Sequence, residues 1–327
     1  MTDDQENRTA EPDPERVFRS IRRRILDKYE QEMNQQRDDA TAQEGIGRRL
    51  DDPLRKIWQD CGLDMAAIDA LREAEIAKMN EFIEEGHRRA AARDPQRGPR
   101  LREAAERALD LIQMGGSQPY LLGADVVAPT PEQLADYEGH QGNPATWLYD
   151  AGANQKVKTS STGQPGCLGG WEYHPFYAIW YYAWPPVAPA LTKCSIQAWC
   201  GYHGYYQLLA VPMPPEYCQW AAVTASAELQ VYQQVAYPWG KYSKMLGQAK
   251  KTFFDKKVAS TWNYAASGVL DGSEVLYADV NLTSKSQVYI AVSIKVEAGA
   301  QGQPAYAEIN FQDYAHYVPP PFVIVSW

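Results

Sequence analysis

The chain has 327 residues, 45% of them hydrophobic, and a formal charge of -9. That is enough apolar material for two packed units, which argues against disorder throughout. The lack of a basic block argues against nucleic acid or an anionic membrane surface as partner. No apolar run reaches the roughly 20 residues of a membrane span. The start, MTDDQENRTAEPDPER, is acidic and polar where a secretory signal opens basic and turns apolar. The expected address is therefore the cytoplasm at synthesis, with non-classical export or incorporation into a particle left open.

Composition changes near Gly115-Gly116. Residues 1–115 hold most of the charge and four aromatic residues, Phe18, Tyr29, Trp58 and Phe82, while every later basic residue is a lysine and the remaining aromatics crowd into 116–327. Such a shift marks a boundary. Three regions follow: a disordered acidic start over 1–13, a helical docking or oligomerisation region over 14–115, and an aromatic-rich β-sandwich over 116–327.

Within the helical region, Pro14 opens a helix whose Phe18, Ile21, Ile25, Tyr29 and Met33 recur at helical spacing. The basic triplet Arg22 to Arg24 falls beside this stripe as a solvated flank. Asp64 serves as N-cap of a longer helix carrying Met65, Ile68, Leu71, Met79, Phe82 and Ile83 toward the break at Arg93-Asp94-Pro95. A third helix runs from Pro99 to Gly115. These stripes are thin for a free-standing bundle, so the helices need a partner: the second domain, another copy of the chain, or a larger assembly.

Beyond the boundary the pattern turns to period two. Val223, Ala225, Ala227, Leu229 and Val231 alternate with polar or mixed residues. The same holds for Leu276, Ala278, Val280 and Leu282, then Val288 to Val296, then Ala305, Ala307, Ile309 and Phe311. With TSKSQ read as a turn and EAGAQGQP as a loop, the last three runs are expected as hairpin-linked strands with one apolar face, which a second layer must cover. The expected fold is an α+β two-domain chain, a helical segment followed by an antiparallel β-sandwich, with a jelly roll as one form of it.

The stretch WEYHPFYAIWYYAWPP (171–186) puts Phe176, Trp180, Tyr182 and Trp184 on one strand face and Tyr177, Ile179 and Tyr181 on the other. Either both faces are covered, or Trp180, Tyr182 and Trp184 form a secondary aromatic surface. Primary ligand-binding candidates lie in segments read as glycine- and proline-rich loops: Tyr202, His203 and Tyr205 in GYHGYY, and Tyr237, Trp239 and Tyr242 in YPWGKY. Flat rings at loop tips suit sugar faces and protein interfaces alike.

No catalytic, metal or cofactor motif is present, and the histidines are scattered. Asp150, Glu172 and Glu216 leave a glycosidase carboxylate pair open, and Asp271-Gly272-Ser273-Glu274 reads as an ordinary turn. The lysines near Phe253-Phe254 read as a solvated strand edge. Five cysteines, none in a CxxC pair, point to free thiols, with a Cys200–Cys218 disulfide as the alternative. The functional expectation is a non-catalytic recognition or assembly protein that binds a glycan or a protein surface through loop aromatics and forms a homo-oligomer or larger assembly. The alternatives are a structural subunit of a particle or filament and a polysaccharide-active hydrolase.

Overall fold

The computed structural model describes residues 53–92, 120–127, 157–163, 171–184, 193–214, 217–237, 240–261, 264–282, 287–314, 316 and 318–326, and scattered positions between 17 and 42. The third expected helix, 99–115, lies outside them. One long helix, α1 (Met65–Ala91), precedes ten strands: β1 (Tyr120–Val127), β2 (Val157–Thr162), β3 (Trp171–Trp184), β4 (Lys193–Ala210), β5 (Trp220–Tyr237), β6 (Gly240–Ala259), β7 (Ala265–Asn281), β8 (Val288–Gln301), β9 (Ala305–Phe311) and β10 (Phe322–Ser326).

The strands pair antiparallel as β2 with β9, β3 with β8, β4 with β7 and β5 with β6. The chain is thus a long double ribbon, wrapped so that successive pairs fall into opposite sheets. The β3 sheet runs β1-β3-β8-β5-β6; the β4 sheet runs β2-β9-β4-β7, with β10 continuing beside β4 where β9 ends. Strands β2 to β9 alone have the order of a jelly roll, two Greek keys folded into a double sheet.

Period two located the inward residues correctly: Val223, Ala225, Ala227, Leu229 and Val231 are all buried, as are Val288, Ile290, Val292, Ile294 and Val296. It misassigned their neighbours. The strands β7, β8 and β9 are not linked hairpins, because β7 and β9 lie in the β4 sheet and β8 in the other. Alternation says that one face is buried, but not which strand lies alongside. Most of EAGAQGQP is also strand: β8 runs to Gln301, and Ala298 and Ala300 are buried between β3 and β5. Four small residues without bulky apolar neighbours resemble a loop, yet they fit where two strands flank closely.

Strand β3 is covered on both sides. Trp180, Tyr182 and Trp184 point between the sheets and belong to the main core, with Trp180 0% and Trp184 1% exposed. They form no exposed aromatic surface, and the Tyr182 hydroxyl donates to the Pro321 carbonyl. On the opposite face Tyr177, Ile179, Tyr181 and Ala183 join Tyr232, Tyr289 and Ala291 beneath Val17 and Ile21. The described positions between 17 and 35 are helical, and Ile21 of the first expected stripe closes over the β3 sheet; Phe18, Ile25, Tyr29 and Met33 lie outside the described residues. Pro175 is tolerated within β3 because the pairing with β1 ends at Tyr177.

Helix α1 starts as its sequence demands, with Asp64 accepting from the amides of Ala66 and Ala67. Of its buried positions, Met79 packs on the β4 sheet and Gly86 and Ala90 lie beside Gln207 there. Leu71, assigned to the same stripe, is instead 44% exposed. The layers therefore run helix, sheet, sheet, helix. At the far edge, β6 carries Lys244, Lys250, Lys251 and Lys257 exposed, as expected of a guarded edge strand.

Candidate functional site

The outer face of the β4 sheet carries the chain's densest group of described polar and aromatic side chains. Because Leu208, Ala210, Ala307, Ile309 and Phe311 fill the core, the alternate residues Tyr205, Gln207, Tyr306, Glu308 and Asn310 point outward. Helix α1 lies over them.

Glu308 is the hub. Its carboxylate, 4% exposed, accepts from His87 Nε2 at 2.9 Å, Tyr306 Oη at 3.0 Å, Tyr205 Oη and Gln207 Nε2 at 3.1 Å, and Asn310 Nδ2 at 2.9 Å. Asn310 Nδ2 also donates to Asp313, which pairs with Lys158 at 3.4 Å, and Asn310 Oδ1 accepts from the backbone amides of Gln312 and Asp313. Burial pushes the Glu308 carboxyl up, but the hydrogen bonds from His87, Asn310 and Tyr306 and the charge of His87 outweigh it. The group sits below the ordinary carboxylate range. The bond to Glu308 raises His87 against the opposing effect of its own burial. Burial, then the Glu308 charge, raises the hydroxyls of Tyr205 and Tyr306 far above the ordinary phenol range. A carboxylate with five donors stays ionised at neutral pH, so it is suited to holding elements together and unsuited to acting as a general acid.

Rings continue the row. Tyr205, Tyr314 and His87 lie 6.2 Å apart between centroids, Tyr205 is 5.2 Å from His316, and His316 is 4.7 Å from His203. Asp271 on β7 faces His203 at 3.8 Å.

Five of the six residues expected on loops are therefore in strands, Tyr202, His203 and Tyr205 in β4, Tyr237 at the end of β5 and Tyr242 in β6. GYHGYY is the middle of β4, where His203 is 7% and Tyr205 3% exposed. Tyr202 turns inward and stacks on Phe253 at 4.5 Å. Its glycines signal close packing, not a turn: a Cβ on Gly204 would stand 2.4 Å from the Phe311 ring and 2.5 Å from the Asn310 carbonyl oxygen. Tyr242 is 46% exposed on β6, while the side chains of Tyr237 and Trp239 lie outside the described residues. Asp271 to Glu274 form the centre of β7, not a turn. The side chains of Asp150, Glu172 and Glu216 lie outside the described residues, and among those described no group of three His, Cys, Asp or Glu residues is placed to hold a metal ion. Cys218 is disulfide-bonded, but not to Cys200, whose thiol is free, as are those of Cys61 and Cys194.

The upper part of the same face lies beyond α1. There Tyr277 stands opposite Gln197 and Ile324, and the next outward row is Val275, Trp199 and Phe322. Tyr277 is 58% exposed; Val275, Trp199, Phe322 and Gln197 are half-buried. The alternation of Leu276, Ala278, Val280 and Leu282 made Tyr277 legible as an outward position, but β10 and Trp199 were not.

A jelly-roll sandwich with a helix on each outer face, a buried carboxylate hub and an exposed tyrosine beside two half-buried rings is the class of protein so defined. No protein-family model and no curated protein matches the chain. Among solved structures it is similar to the CBM22-1 and GH10 modules of Clostridium thermocellum endo-1,4-β-D-xylanase 10B in complex with xylohexaose, at 8% identity, 64% of this chain, 28% of that chain and TM-score 0.20. It is also similar to TmCBM61 in complex with β-1,4-galactotriose, at 8% identity, 63% and 98% coverage and TM-score 0.18. A third is Eiger TNF from S. frugiperda, at 8% identity, 47% and 91% coverage and TM-score 0.17. The chain thus spans about a quarter of the first of these. At such scores the likenesses carry no functional argument; the jelly roll rests on the strand order itself.

Proposed function

We propose that the protein is a non-catalytic recognition protein that binds glycan on the uncovered part of the β4 sheet, with Tyr277, Trp199 and Phe322 as ring contacts and Gln197 as a polar one. The observation that supports this reading is Tyr277, a tyrosine left 58% exposed on the edge strand β7, whose next outward row holds two half-buried rings, Trp199 and Phe322. Rings fixed on neighbouring strands offer apolar area to sugar faces at little entropic cost, and a nearby amide supplies orientation. Tyr242, exposed on β6, is a second contact in this reading. The Cys218 disulfide suits a protein that works in an oxidising setting.

A glycan array on the full chain and on Tyr277→Ala tests the reading. The expected result is selective binding by the wild type that falls at least about tenfold in the variant, roughly 1.4 kcal/mol, with unchanged thermal unfolding. No bound glycan, or binding indifferent to Tyr277, would overturn it. A second reading, a subunit of a homo-oligomer, is favoured by Ile57, Leu63 and Leu71, which are exposed on the helical region away from the stripe that faces the sheet.

A further inference from the structure

The grip of α1 on the β4 sheet is slight. Its apolar contact is Met79, with Ile76, Phe82 and Ile83 half-buried against Leu209, Val211, Ala265 and Tyr306. Across the interface runs an ionic hydrogen bond, from His87 to Glu308. Docking also carries a penalty: Gly86 lies so close that a Cβ there would stand 1.8 Å from Gln207 Oε1, an enclosed acceptor without a donor among the described residues. Water would satisfy that oxygen if the helix lifted. The surface beneath is built to survive exposure, because the other donors to Glu308 (Tyr205, Gln207, Tyr306 and Asn310) all belong to the sheet.

We propose that α1 is a displaceable cover on the β4 sheet whose grip is set by protonation of His87: charged, the imidazole clamps the helix to Glu308; neutral, it loosens and uncovers Tyr205, Gln207 and Tyr306.

The groups that face His87 are Glu308 and Tyr306 from β9, Tyr205 from β4, Asp313 and Tyr314 from the segment after β9 with His316 one ring further, and Lys158 from β2. On α1 itself Glu84 is exposed, and Glu85 is engaged with Arg88 and Arg89. The carboxylates Glu308 and Asp313 favour the imidazolium, and Lys158 opposes it. Because His87 is raised in the docked state, its contribution is complete below the ordinary histidine value and is lost as pH rises through the raised one. Because Glu308 is lowered, its contribution is present above the ordinary glutamate value and is lost only in stronger acid. The grip is therefore firmest in mild acid and weakens toward alkaline pH.

Hydrogen exchange of α1 peptides in the full chain, followed by mass spectrometry from about pH 5.5 to about pH 8.5 and corrected for intrinsic exchange, tests this. In the wild type, protection of α1 falls several-fold across the range while β5 and β8 stay constant. In His87→Gln, which keeps a donor for Glu308 but does not titrate, and in Glu308→Gln, α1 protection is flat. A flat wild-type profile, or the wild-type slope retained in His87→Gln, would overturn the proposal.

Discussion

Gly86→Ala puts a single methyl group where α1 meets β4. The ideal Cβ falls 1.8 Å from Gln207 Oε1, 2.3 Å from its Cδ and 2.8 Å from its Nε2, so one side chain must move. Gln207 is 1% exposed, and its amide is held by Glu308, which Tyr205, Tyr306, Asn310 and His87 hold in turn. Moving it either sacrifices a hydrogen bond to a charged group, about 1.5–3 kcal/mol, or overpacks the interface at about 1–3 kcal/mol. Alanine returns about 1 kcal/mol through helix propensity. The net expectation is a loss of about 1–2 kcal/mol in docking, read as faster exchange in the second half of α1 and a lower urea midpoint. Adding Gln207→Ala should recover part of the loss, since the obstructing side chain is then gone. If Gly86→Ala alone is as stable as the wild type, or more stable, the close packing of α1 on β4 is wrong.

Three other outcomes follow from packing and thiol chemistry. Ile21→Ala, which empties a fully buried position over Tyr177 and Tyr181, should lower stability by about 2–5 kcal/mol in denaturant unfolding; a change near zero would mean that this helix does not dock. Alkylation of the native protein should label exposed Cys61 quickly and buried Cys200 only after unfolding, because burial pushes its thiol up to about 12. Non-reducing peptide mapping should find Cys218 in a disulfide; a reduced Cys218 would contradict the structure at the start of β5.

Much of the architecture was legible because it is local. Asp64 followed by a 3.6-residue apolar rhythm gives a capped helix whatever surrounds it, and Val288 to Val296 alternate because a half-buried strand requires it. The site was legible only in fragments. The outward residues of AYAEINF, Tyr306, Glu308 and Asn310, are polar at alternate positions and so marked a face, but nothing near His87 distinguished it from other residues of a charged helix. GYHGYY misled for a physical reason: glycine is favoured both where a chain turns and where two strands cross too closely for a Cβ, and sequence does not separate the two.

The sequence by itself determined which residues of β5, β8 and β9 face inward and where α1 begins. Tertiary structure decided what covers them: β7, β8 and β9 divide between two sheets, β3 is buried on both faces, and His87 meets a carboxylate 221 residues away. Periodicity records how each residue relates to its own backbone. Strand order and the hub at Glu308 depend on how the double ribbon wraps, and that is settled by pairings between segments that no local pattern encodes.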